Sequence, residues 1–138
     1  MSVDAGLLRL ETDGHGEVVD ITEGVRTVVE RSKVQSGVAV VFAVGATVAV
    51  TTIEHEPGAV NDLKALLGRL IPPGAEYRHN ELNGDTNAHA HLSAAIIGPS
   101  ESVPIVDGAL GLGTWQQVVL LDFDDRPRER VVSVHVLG

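Results

Sequence analysis

The sequence predicts one α+β domain spanning residues 1–138, built from sequential antiparallel strands and two helices. Three observations point there. Short Val-, Ile- and Thr-rich runs recur along the chain with tight turn signals between them, which favours antiparallel pairing over helical crossovers. Two segments carry apolar residues at helical spacing. No linker, repeat or low-complexity stretch divides the chain. A chain of 138 residues is about one domain's worth and buries roughly 68–70% of its unfolded surface without help from a disulfide or metal.

The elements follow in order. Leu7–Glu11 alternates as a strand, Asp13-Gly14-His15-Gly16 turns, and Glu17–Ile21 resumes a strand. Thr22 is a candidate N-cap for a helix carrying Val25, Val28 and Val29 on one face. Arg31 and Lys33 lie near its end, where the helix dipole favours cations. Val38–Phe42 and Thr47–Ile53 are strands, with Gly45 between them marking a bulge or a close backbone approach. Asn61 is a candidate cap for a second helix, since Leu63, Leu66, Leu67 and Leu70 sit at i, i+3, i+4 and i+7 and Pro72-Pro73-Gly74 ends the pattern. Glu76–Thr86 is polar and reads as a loop. His91–Ile97, Val103–Val106, Ala109–Leu112, Gln116–Phe123 and Val131–Leu137 read as strands, with Asp107-Gly108 a hairpin turn signal.

Charge and composition exclude several functions. Ten basic against nineteen acidic residues leave a net charge of −9, which repels a phosphate backbone and argues against nucleic-acid binding. The absence of cysteine removes disulfides, thiolate nucleophiles and Cys-type metal sites. The longest apolar stretch, residues 37–50, is too short for a bilayer, which needs about 20 residues. Met1–Ala5 is short and carries Asp4, unlike a secretory leader. The expectation is a cytoplasmic protein with no membrane partner.

The densest polar constellation is His79, Asp85, Asn87, His89 and His91. On a strand, residues two apart share a face, so Asn87, His89 and His91 would point the same way and offer two imidazoles to one divalent ion, with His79 arriving from the preceding loop. The alternative is a set of solvated loop histidines. Glu54 closes a strand and Asp62 opens the second helix. Either carboxylate is a candidate base or metal ligand, although Asp62 in a first helical turn is also explained by the dipole. Trp115, the only tryptophan, stands between glycines and Gln116. It reads either as a buried plug or as a wall for a planar heterocycle. Arg128 and Arg130 carry forks suited to phosphate, and Arg126 reads as a solvated rim.

Asp62-Leu63, Pro72, Tyr77-x-His79, Asp85-x-Asn87-x-x-x-His91, Gly98-Pro99-Ser100 and Leu112-Gly113-Thr114-Trp115-Gln116 recur in that order. The pattern resembles the YjbQ family, also called UPF0047. Gly45 with Arg126-Pro127-Arg128 resembles an archaeal branch. The resemblance implies a β-sandwich core, a homotrimer, and a polar pocket near the subunit interfaces. It also implies a link to thiamine-phosphate synthase, a transferase that joins a pyrimidine diphosphate to a thiazole phosphate. Many members carry His-Thr-Thr-Ala where this chain has Gly45-Ala46-Thr47-Val48, so the first histidine of that motif is missing here, and His89 is a candidate to compensate.

Two readings follow. In the first, the chain is an enzyme on a small phosphorylated metabolite: His79, His89 and His91 hold a divalent metal (Zn or Mg), Glu54, Asp62 and Asn87 are catalytic, and Trp115, Gln116, Arg128 and Arg130 bind substrate. In the second, the same pocket belongs to a non-catalytic homotrimer that holds a metal or a metabolite.

Overall fold

A computed structural model describes residues 3–138. Eight strands run Val3–Thr12 (β1), Glu17–Asp20 (β2), Ser36–Val44 (β3), Val48–Ile53 (β4), Ser100–Val106 (β5), Ala109–Leu110 (β6), Gln117–Asp122 (β7) and Arg128–Leu137 (β8). Four helices span Thr22–Ser32 (α1), Pro57–Leu70 (α2), Arg78–Asn83 (α3) and Ala88–Ile97 (α4).

Two antiparallel sheets face each other, one ordered β1-β8-β3-β5-β6 and the other β2-β7-β4. Val41, Val132, Val134 and Val136 of the first sheet meet Val48, Val50, Val118 and Leu120 of the second, with Val25 and Val29 of α1 completing this core. The small sheet is covered on its other face by α2 and α4, where Leu67, Ala90 and Ala94 pack on Ala49, Val119 and Leu121. Strand β7 is therefore buried on both faces, which explains its continuous apolar run, Val118 to Leu121. None of the described helices is long and apolar enough to cross a membrane.

The α+β class, the antiparallel sandwich and the Asp107-Gly108 turn are as the sequence predicts. Asp107 and Gly108 both take positive φ between β5 and β6. Several elements differ. The expected strand His91–Ile97 is helix α4. Its inward residues Ala90, Ala94 and Ile97 follow the i, i+4, i+7 spacing of a helix, and its alanines carry no β-branch to favour a strand. The expected loop Glu76–Thr86 contains α3, a short helix closed by Gly84 in the left-handed conformation. Helix α2 starts before Asn61: Pro57 occupies its first turn and the Glu56 carboxylate accepts from Gly58 N and Ala59 N at 2.7 and 2.8 Å. Four helices thus replace the expected two.

Candidate functional site

The site is assembled where three connections meet: the β3–β4 turn at Gly45–Thr47, the β7–β8 turn at Phe123–Pro127, and the first turn of α4. Arg130 occupies the first inward position of β8, in the row continued by Val132, Val134 and Val136. A charge there needs partners, and the end of β7 supplies them. Asp122, fully buried, accepts from Arg130 Nε at 2.7 Å and Nη2 at 3.0 Å, and also from the Thr12 hydroxyl. Asp124 accepts from Arg128 Nε at 2.8 Å and from the Thr47 hydroxyl at 3.1 Å. Arg130 Nη2 reaches Thr47 Oγ1 at 2.7 Å and ties the β3–β4 turn into the same network.

Burial alone would push the Asp124 carboxyl up. The backbone N–H of Asp125, the Thr47 hydroxyl, the Arg128 guanidinium and the Asn87 amide outweigh it and hold the group at about 2, below the ordinary 3.8. Asp122 is lowered for the same kind of reason: burial opposes its charge, while Arg130, Thr12 and the Asp124 N–H more than offset it. Both turns are thereby held by carboxylates whose charged form the fold favours.

Asn87 and His91 rest on this base. They lie four residues apart at the start of α4, and so share one helical face. Asn87 is buried, with Oδ1 lacking a hydrogen-bond partner among the described residues. His91 Nδ1 lies 3.1 Å from Ala46 O. His79, carried in on α3, sets its ring centroid 4.7 Å from that of His91 at an interplanar angle of 54°, and its Nδ1 lies 3.1 Å from Asn80 Oδ1. Asn80 Oδ1 also accepts from Ala88 N at 3.0 Å, so that atom is an oxygen acceptor in both contacts. A hydrogen bond to a carbonyl-type oxygen requires the proton on Nδ1. In its neutral form each imidazole therefore carries its lone pair on Nε2, the tautomer that carbonyl partners impose on metal-binding histidines.

His89 does not join them. The expectation that His89 and His91 share a face rests on a strand, and two residues along a helix turn the side chain through about 200°. His89 instead lines a cavity of about 380 Å³ on the other side of α4. The three-histidine metal set is corrected accordingly: among the described residues no three His, Asp or Glu side chains gather as a metal-binding group. Trp115 is 73% exposed, against the buried plug, and Gln116 is spent on local structure, donating to Thr52 Oγ1 and accepting from Gly113 N, both at 3.0 Å. Trp115 and Gln116 precede β7 while Asp122 ends it, so the strand's length, roughly 16 Å, separates them from the arginines. Glu54, at the far end of β4, and Asp62, on α2, are solvent-exposed and make no ion pair among the described residues. Of the ten predicted site residues the fold thus brings together His79, Asn87, His91, Arg128 and Arg130. Sequence reasoning missed Asp122, Asp124, Thr47 and Asn80. The acidic β7–β8 turn was the available signal, and it reads equally well as a solvated rim.

With this geometry in view, the comparisons are direct. The family model for UPF0047 protein YjbQ-like proteins matches residues 7–138. The chain belongs to the UPF0047 family. A UPF0047 protein of Methanothermobacter thermautotrophicus is 36% identical over all of this chain and 94% of its own length. One of Archaeoglobus fulgidus is 39% identical over 94% of this chain and 98% of its own length. A bacterial member, that of Mycobacterium tuberculosis, is 36% identical over 99% of this chain and all of its own length. Among solved structures, a YbjQ-like protein of unknown function from Sulfolobus solfataricus superposes with a TM-score of 0.89 at 32% identity, covering 99% of each chain. A hypothetical protein from Aeropyrum pernix gives 0.91 at 36% identity, covering 98% of each. The UPF0047 fold therefore accounts for the sandwich and for the added helices α3 and α4, which carry His79 and His91.

Proposed function

We propose that this UPF0047 protein acts on a small phosphorylated metabolite, with His79 and His91 anchoring a divalent ion. One observation carries the reading: both imidazoles have Nδ1 committed to an oxygen acceptor, so both Nε2 atoms are free and their rings lie side by side. Two neutral imidazoles suit Zn²⁺ or a related ion, and two protein ligands leave coordination positions open for substrate oxygens. A bound ion would supply charge neutralisation for a leaving phosphate or pyrophosphate. Asn87 contributes a buried, unpaired Oδ1 that orients a donor group of the substrate. Arg128 is partly exposed beside Asp124, and the guanidinium nitrogens beyond Nε are its means of reaching a phosphate. Arg130 is locked by two carboxylates and serves as scaffold.

Thiamine-phosphate synthesis, which joins a pyrimidine diphosphate to a thiazole phosphate with loss of pyrophosphate, is the specific reaction that fits such a phosphate-handling site. The direct test is turnover of that substrate pair by the full-length protein, with Zn²⁺ or Mg²⁺ and with chelator, in wild type and His91→Ala. Product that depends on the ion and on His91 supports the reading. Zn²⁺ binding unaffected by His91→Ala overturns the anchor itself.

The second reading, a non-catalytic homotrimer, draws support from apolar side chains left at the surface. Leu70, Leu82, Ile96 and Trp115 are all at least 66% exposed, and covering them is a reason for copies of the chain to associate. A trimer by light scattering that binds Zn²⁺ but turns over nothing favours it.

A further inference from the structure

We infer that the cavity between α2 and α4 is a second ligand site, distinct from the His79–His91 pair and built for a small amphiphilic anion with an apolar body and one phosphate or carboxylate head. The cavity holds about 380 Å³, within the range of small-molecule sites. Leu67, Ile71 and Phe123 line it with apolar surface, and each is itself nine-tenths or more buried. Pro73 and two glycines extend this wall, and the polar lining is confined to a few side chains, the usual composition of a site that orients a ligand.

Lys64 supplies the partner for an anionic head. Lys64 projects from α2 over the β1–β2 turn, where its Cε would lie 3.5 Å from a Cβ placed on Gly16. It has no ion-pair partner among the described residues. His15 and His89 add two imidazoles, and Nδ1 of His89 is buried without a hydrogen-bond partner among the described residues. The one carboxylate in the lining, Asp125, already accepts from the Thr86 hydroxyl. Asp125 balances Lys64 in the lining, so in a chain of net charge −9 the cavity is locally neutral, and Lys64 is the cation in its wall placed to meet a head group. A hydrocarbon body on the floor with its head at Lys64 satisfies both halves of the cavity.

The probe is phenyl phosphate, titrated by calorimetry into the full-length protein beside inorganic phosphate (head alone) and benzyl alcohol (body alone). Three variants locate it. Lys64→Ala removes the cation. Gly68→Leu obstructs the cavity: Gly68 lines it, a Cβ there meets nothing within 4 Å, and replacing glycine inside a helix favours folding. His91→Ala disables the other site. Expected is phenyl phosphate binding about tenfold tighter than either control, weakened about tenfold or more by Lys64→Ala, lost in Gly68→Leu with the melting temperature maintained, and retained in His91→Ala. The proposal is overturned if phenyl phosphate binds no better than the controls, or if binding survives both cavity variants. Loss only in His91→Ala overturns it too, because the probe would then report the histidine pair.

Discussion

Arg130 and Asp122 form a two-point fork inside the sandwich, with Nε to Oδ2 at 2.7 Å and Nη2 to Oδ1 at 3.0 Å, and neither side chain reaches solvent appreciably. The pair sits where the valine rows of β8 and β7 run out. It converts the open end of a hydrophobic core into a rigid platform for the two turns that support the candidate site.

Removing one partner leaves the other charged and buried. Arg130→Ala is expected to cost about 3–5 kcal/mol of unfolding free energy, measured by urea denaturation. The exposed pair Arg9–Glu129, 3.7 Å apart with both side chains 63% exposed, is the control. Arg9→Ala should change stability by less than about 1 kcal/mol. Equal effects at the two positions would refute the scaffold role.

Acid should loosen the same platform. Asp124 titrates at about 2 in the folded chain against an ordinary 3.8, and Asp122 is also lowered. A depressed carboxylate contributes stability that is fully present above the unfolded pKa and disappears as pH falls through the folded one. For Asp124 the contribution is about 2 kcal/mol, lost between about pH 4 and pH 2. Urea midpoints measured from pH 5 to pH 2 should fall across that window, and Asp124→Asn should flatten the decline.

Gly45 sits in the β3–β4 turn at the edge of the candidate site. Its φ of +149° suits glycine, and a Cβ there would meet Val48 Cγ2 at 3.0 Å and Arg130 Nη1 at 3.3 Å. Gly45→Ala is expected to destabilise by about 1–3 kcal/mol, since strain and crowding act together. Placing histidine at this position should therefore fail to add a ligand without a compensating change in the turn. Thermal melting of Gly45→Ala and Gly45→His checks both statements.

Trp115 gives a spectroscopic test of the surface. At 73% exposure in the monomer, the indole should emit like a water-exposed tryptophan and be readily quenched by iodide. Trp115→Ala should cost less than about 0.5 kcal/mol. If the protein assembles through this surface, emission should shift to the blue as concentration rises. A blue-shifted, quencher-protected signal at every concentration down to the monomer would contradict the exposed position.

The sheets were readable because their evidence is local. Alternation in β8 and the double-sided apolar run of β7 survive in the linear order, and Asp107-Gly108 announces its own turn. Helix α4 was misread because its exposed Leu92 and Ile96 obscure the inward Ala90, Ala94 and Ile97, so the period emerges only once the small sheet is there to bury them. That error moved His89 to the wrong face, while Asn87 and His91, four apart, share a face on the helix as they would on a strand. The base of the site was invisible for a different reason. Asp122 and Asp124 meet Arg130 and Thr47 only through contacts between distant strands, and an acidic turn beside arginines looks the same in sequence whether it is solvated or buried.

Asn80 joins the two halves of the histidine pair and supplies the most discriminating prediction. Its Oδ1 accepts from His79 Nδ1 at 3.1 Å and from Ala88 N at 3.0 Å, so one atom orients a ring and satisfies a free N–H at the start of α4. Asn80→Ala removes both contacts without touching His91, whose own Nδ1 rests on Ala46 O. Without its acceptor, the His79 ring loses its fixed tautomer and orientation, and loss of such a partner typically weakens metal affinity about 10–100-fold. The helix end should lose about 1 kcal/mol. Calorimetric titration with Zn²⁺ separates the two effects. Asn80→Ala should bind more weakly than wild type while denaturation shows a folded protein, and Asn80→Asp, which keeps an oxygen acceptor, should recover most of the affinity. If Asn80→Ala binds Zn²⁺ as tightly as wild type, the orientation of His79 through Nδ1 has no part in metal binding, and the two-imidazole anchor loses the observation on which it stands.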